Sequence, residues 1–218
     1  MPPSSSKEVK GLSDSQTSLT GVPERARWER RAVWLAWATV CYNAIEAAVA
    51  ITSGVAAGSV ALVSFGGDSI VECLSALVIV WQFRGLPEER EQAAMKGIAL
   101  AFFVLAAYIT IDSTRSLLTG ADPESSPVGI ALAATSLIVM PLLVVAKRRT
   151  ARALGSATVR ADSVQTLLCT YLSAVLLVGL AVNALFGWAW ADPLAALIIG
   201  YVAVREGLEA WRGEDDCP

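Results

Sequence analysis

The chain has 218 residues, 55% of them hydrophobic, a formal net charge of −3 and a mean hydropathy of +0.54. That balance excludes an ordinary soluble domain and points to several passages through a bilayer. The Lys and Arg fall in short scattered clusters, which argues against a nucleic-acid surface, and histidine is absent, so any metal site or proton relay must work without imidazole. Without Ser-His or Cys-His pairs or a glycine-rich phosphate loop, an enzyme is not expected.

In chain order, residues 1–30 are polar and Ser-rich and predict a disordered cytoplasmic N-terminal tail. Residues 31–212 then hold six apolar segments of spanning length, at about 32–53, 60–83, 95–118, 127–146, 161–185 and 189–211. Residues 213–218 form a short C-terminal tail. Of the 17 Lys and Arg, only Arg115 falls on the far side of a six-helix arrangement, counting Lys147 with the link after the fourth helix. The positive-inside rule therefore places both termini in the cytoplasm. Trp28 and Trp81 on the inner face and Trp188 and Trp190 on the outer face read as interfacial anchors.

Charged side chains at the bilayer centre cost about 2.5–3.5 kcal/mol each on insertion scales, so those that occur need a reason. In the first helix Asn43 and Glu46 are three apart, and read either as an interhelical hydrogen bond or as support for a polar site. In the second, Asp68 and Glu72 are four apart and share a face, about 8 and 12 residues into the helix. Two such carboxylates repel, and either a divalent cation or a shared proton relieves them. Asp112 and Arg115 in the third helix read as an exposed pair. In the fifth, Asp162, Gln165, Thr166 and Cys169 form an i, i+3, i+4, i+7 stripe that either faces the second helix as a site or packs it as small polar residues. Asp192, just before Pro193, reads as the N-cap of the sixth helix. Cys41, Cys73, Cys169 and Cys217 give neither a disulfide framework nor a CxxC zinc motif.

Three stretches together resemble the cation diffusion facilitator family of divalent-metal transporters: "ITSGVAAGSVALVSFGGDSIVE", "VRADSVQTLLC" and "ADPLAALIIGYVAVREGLEAW". The resemblance runs from about Asn43 to Trp211. It places Asp68 and Glu72 on the family's second-helix metal pair. Gln165 and Cys169 fall on the fifth-helix positions where the family usually has His and Asp. It implies an all-α membrane protein, a six-transmembrane-helix bundle of the cation diffusion facilitator type, in a short form lacking the C-terminal cytoplasmic domain. The implied metal set is Asp68, Glu72, Gln165 and Cys169, with Asp162, Asn43 and Glu46 as possible support. The implied activity is efflux of a divalent transition-metal cation such as zinc, cobalt or cadmium, in exchange for protons, by a homodimer in the plasma (cell inner) membrane. The metal is then a transported substrate, with no separate cofactor, and no nucleic acid is involved. A thiol beside carboxylates suits zinc, cadmium or cobalt better than magnesium or calcium. Two other readings stay open: a non-transporting metal-binding or assembly partner of the same fold, and a carrier of small organic cations.

Overall fold

The computed structural model describes residues 6–83 and 88–212; side chains are described from residue 24 onward, apart from 82, 84–95, 157, 158 and 161. The C-terminal tail with Cys217 lies outside the described residues. Six helices and no strand occur among the described residues: α1 (Ser6–Ala57), α2 (Val60–Gln82), α3 (Glu88–Thr119), α4 (Pro127–Leu154), α5 (Ala157–Phe186) and α6 (Ala191–Arg212). In lipid every backbone polar group must find its partner within the segment, and runs of Ala, Leu, Val and Ile do so as helix.

Serine side chains start three of the helices. Ser59, Ser126 and Ser156 sit in extended backbone and accept from the amides of Leu62, Gly129 and Val159. Glycine ends two: Gly155 and Gly187 are left-handed, with φ of 64° and 65°, which only glycine adopts without a steric cost. Three boundaries differ from the sequence expectation; α3 starts at Glu88, seven residues before 95. α1 reaches back to Ser6, into the stretch whose composition predicted a disordered tail. α4 runs eight residues past 146, to Leu154, so most of the expected link after it is helix. The expected end was a fall in hydropathy, but Lys, Arg and Ala are good helix formers, so a chain can leave the apolar layer without leaving the helix.

Among the described residues, five helices are long and apolar enough to span a bilayer: Glu24–Ala57, Val60–Trp81, Lys96–Thr119, Pro127–Leu154 and Asp162–Phe186. The sixth, expected at 189–211, has Asp192 in its first turn and carries Arg205, Glu206 and Glu209, which dilute its apolar character. Its 22 residues still reach about 33 Å at 1.5 Å each, and it lies along α3. The main pairings are α1 with α2, α4 with α5 and α3 with α6; α2 also touches α3, α5 and α6 and so stands at the centre. Small residues set these distances. A Cβ on Gly66 would lie 2.7 Å from Ile51 Cγ1, and one on Gly207 would lie 3.0 Å from the ring of Phe103.

The bundle carries large apolar side chains on its outside and polar ones within its core. Trp34, Ile45, Val104, Ile111, Ile138, Leu142 and Val178 point outward, whereas Thr39, Asn43, Glu46, Ser69, Glu72, Ser136 and Thr166 are buried. Trp188 and Trp190 stack at one end with ring centroids 5.5 Å apart. At the other, Arg31 lies over the Trp28 ring, 5.3 Å from its centroid. We call this second end, where α4 finishes in Arg148, Arg149 and Arg152, the basic end.

Asp192 does not act as the N-cap of its own helix. It lies inside α6, almost fully buried, and its carboxylate reaches across to the start of α2, where Oδ1 accepts from Ser59 Oγ and Oδ2 from the Ala61 amide at 3.2 Å. The first turn of α2 has free N–H groups and a partial positive charge, which a carboxylate satisfies wherever in the chain it comes from. Asp112 and Arg115 form no ion pair among the described residues; the Tyr108 hydroxyl donates to Asp112 at 3.3 Å.

Candidate functional site

Polar groups of α1, α2, α4 and α5 meet inside the bundle. Asp68 and Glu72 project from one face of α2, as their spacing requires, with exposures of 8% and 1%. Gly66 and Gly67, just before them, admit α1 and Leu105 of α3 closely. From α5, Asp162, Thr166 and Cys169 are buried, and Gln165, on the edge of the same stripe, is partly exposed. The Cys169 thiol stands against Glu72, with Asp68 and Glu46 also in its electrostatic surroundings. Asp68 in turn feels Glu72, Glu46 and Glu206 of α6. Glu206 escaped the sequence reading because it sits among the polar residues that end α6.

The structure joins α2 to α5 through a hydroxyl. Thr166 Oγ1 lies 2.8 Å from Glu72 Oε1 and 3.0 Å from the carbonyl of Asp162. The same oxygen accepts from Lys147 Nζ at 2.7 Å, and Lys147 Nζ is also 2.7 Å from Asp162 Oδ2. Lys147 was counted with a basic link. It is instead the only Lys or Arg that is buried among the described residues, at 1% exposure, on the inner face of α4. Removing two such ions from water costs several kcal/mol each, and deleting one partner of a buried pair costs roughly 3–5 kcal/mol. The sequence signal for this was present but faint: Lys147 follows Val144 by three and precedes Thr150 and Ala151 by three and four, all buried, on one helical stripe.

A second polar group lies between α1, α2 and α4. Ser69 Oγ donates to Glu46 Oε2 at 2.9 Å, which is the interhelical bond the sequence left open. The Ser136 and Tyr42 hydroxyls also lie within the influence of Glu46. Asn43 faces inward, and its Nδ2 donates to the Thr39 carbonyl one turn back, at 3.1 Å.

Several buried oxygens have no hydrogen-bond partner among the described residues: Glu72 Oε2, Asp162 Oδ1, Glu46 Oε1 and Asn43 Oδ1 among them. Such atoms are costly to bury and mark places where water, a proton or an ion completes the coordination. As the side chains stand, no three His, Cys, Asp or Glu among the described residues are grouped tightly enough to hold one metal ion. Glu72 is turned toward Thr166, and Gln165 toward the margin. On the opposite side from the basic end, Leu62, Phe65, Met140, Leu172 and Leu176 fill the bundle with apolar volume.

The family model for the cation efflux transmembrane domain matches residues 93–212, which takes in α3 to α6 with Lys147, Asp162, Gln165 and Cys169. Among curated relatives, the uncharacterized transporter sll1263 of Synechocystis sp. is 29% identical over 166 residues, covering 71% of this chain and 54% of that protein. Transmembrane protein 163 of Xenopus laevis is 22% identical over 208 residues, covering 93% of this chain and 73% of that protein. The cation-efflux pump FieF of Shewanella oneidensis is 24% identical over 153 residues, covering 65% and 51%. The chain thus spans about half the length of the first and third of these. With more than half of its residues inside the family match, the chain belongs to the cation efflux family.

Proposed function

We propose that the protein moves a divalent transition-metal cation such as zinc, cobalt or cadmium across the plasma (cell inner) membrane, outward from the cytoplasm, with protons as the counter-ion and as a homodimer. The observation that supports this reading is the burial of Asp68 and Glu72 on α2 and of Cys169 on α5, the helix that faces them, in a chain of the cation efflux family. Two carboxylates and a thiol are a fitting donor set for such ions, which lose hydration readily to sulfur and oxygen. Gln165 would add an amide oxygen by turning inward from the margin. Glu72 would turn its unpartnered Oε2 toward the ion, and Glu46 and Asn43 would support the wall behind it. Asp162, paired with Lys147, would keep to the periphery of the ion.

Because carboxylates must lose protons to bind metal, each transport cycle exchanges one for the other, and rocking of helix groups would expose the site to each face in turn. The apolar packing around Phe65, Leu172 and Leu176 would have to part for an ion to leave by the far end. The test is zinc content of the purified protein, together with zinc flux in proteoliposomes, for wild type, Asp68→Asn and Cys169→Ser. Wild type should hold about one zinc per chain and both variants should lose most of it; undiminished flux in Asp68→Asn would sink the reading. One observation favours a second reading, a metal-binding or assembly partner that does not transport: the ligands are not gathered for an ion as the side chains stand. Zinc binding without zinc flux in the same experiment would select it.

A further inference from the structure

Lys147 is the feature of this site that divalent-cation binding does not call for. A cation path has little use for a fixed ammonium, yet this one is buried to 1% with its nitrogen 2.7 Å from both Asp162 Oδ2 and Thr166 Oγ1. An ammonium can only donate. Thr166 Oγ1 therefore accepts from Lys147, and its single proton is left for Glu72 Oε1 or for the Asp162 carbonyl. A lysine that merely stapled α4 to α5 would leave its surroundings satisfied. Here both carboxylates at the ends of the chain keep a buried oxygen with no partner among the described residues: Asp162 Oδ1 and Glu72 Oε2.

We propose that Lys147 is a positioning residue of the cation site, a tethered cation that cancels the charge of Asp162 and orients Glu72 through Thr166. The inference rests on reading Asp68, Glu72 and Cys169 as a cation site. Asp68, Glu72 and Asp162 bring three negative charges, and Lys147 removes one. The carboxylates of Asp68 and Glu72 are left on α2 for an ion, without the added repulsion of Asp162. The Lys147–Asp162 pair also sits at the basic end of the site, where α4 and α5 join through Gly155 and Ser156, so it fixes the wall formed by these two helices.

The experiment measures zinc affinity and the KM and kcat of zinc flux in proteoliposomes for wild type, Lys147→Gln, Asp162→Asn and the double variant. Lys147→Gln adds one net negative charge. It should bind zinc about tenfold more tightly, with a lower KM and a lower kcat as release slows. Asp162→Asn leaves the ammonium uncompensated and should raise KM by about tenfold. The double variant restores the charge and should bring KM back to within about threefold of wild type. Single-variant shifts of opposite sign are what a structural staple does not produce. If both singles lower the folded yield but leave KM alone, or move it the same way, the inference is overturned while the cation site stands. If Lys147→Gln is not recovered folded, the rise in Asp162→Asn and its reversal in the double variant decide the matter, and an unchanged KM in Asp162→Asn overturns it. Wild type that binds none of zinc, cadmium or cobalt overturns both readings.

Discussion

Replacing Asp192 by Ala separates two accounts of the same residue. If the carboxylate capped only its own helix, its loss would cost the usual N-cap amount of about 1 kcal/mol. The structure has it accepting from Ser59 Oγ and from the Ala61 amide, more than 130 positions away, in a site with 1% exposure. Hydrogen bonds to a charged group contribute about 1.5–3 kcal/mol each, so losing both should cost at least about 3 kcal/mol. At roughly 2–4 °C per kcal/mol for a chain of this size, the midpoint of thermal unfolding should fall by about 6 °C or more. Circular dichroism of the detergent-solubilised protein measures this. Ser59→Ala alone should cost about 1–2 kcal/mol, since it removes the cap of α2 as well as one bond. The double variant should fall short of the sum by about 1–2 kcal/mol, because the two residues share a bond. A loss near 1 kcal/mol for Asp192→Ala, or strict additivity with Ser59→Ala, would refute the cross-helix account.

Two further outcomes follow from the geometry. Gly66→Ala should destabilise by about 1–3 kcal/mol, because its Cβ would meet Ile51 Cγ1 at 2.7 Å and the Ile51 amide at 3.1 Å. Gly97→Ala, with open space around it on exposed α3, should instead stabilise by about 0.5–1 kcal/mol; equal effects in thermal unfolding would contradict the packing described. Under the proposed function, metal and protons compete for Asp68 and Glu72. Metal binds the deprotonated form, so apparent zinc affinity should rise with pH and fall on acidification, and a pH-independent dissociation constant would refute carboxylate ligation.

Much of this was legible in the chain itself because a bilayer imposes a length. A run of about 20 apolar residues has few uses besides crossing it, so five spans were placed to within a few residues at most of their ends. Asp68 and Glu72 stood out for a related reason: two acids one turn apart in such a run share a face and cannot both look at lipid. The stripe of Asp162, Thr166 and Cys169 was read correctly as inward, whereas Gln165, on the same stripe, came to rest at its edge. A helical stripe has width, and which of its margins is covered depends on how far the neighbouring helix rotates.

Lys147 shows where the reading failed. Next to Arg148 and Arg149 it looks like one more interfacial cation, and hydropathy averages the three together. Helical phase separates them, since each step of 100° turns a side chain to a new neighbour, and at 147 that neighbour is Asp162. Asp192 failed for the converse reason. Its own flanks are those of an N-cap, and the donors it satisfies belong to a helix that only folding brings beside it.

By itself, then, the sequence determined the class of the protein, the number of its helices and the presence of acids in the membrane, because these follow from composition and from periodicity along one helix. The tertiary structure alone decided which charge each acid meets. Asp162 faces an ammonium, Glu72 a threonine hydroxyl and Asp192 the amides of another helix. Pairing depends on the rotation and approach of helices far apart in the chain, and no local pattern encodes either.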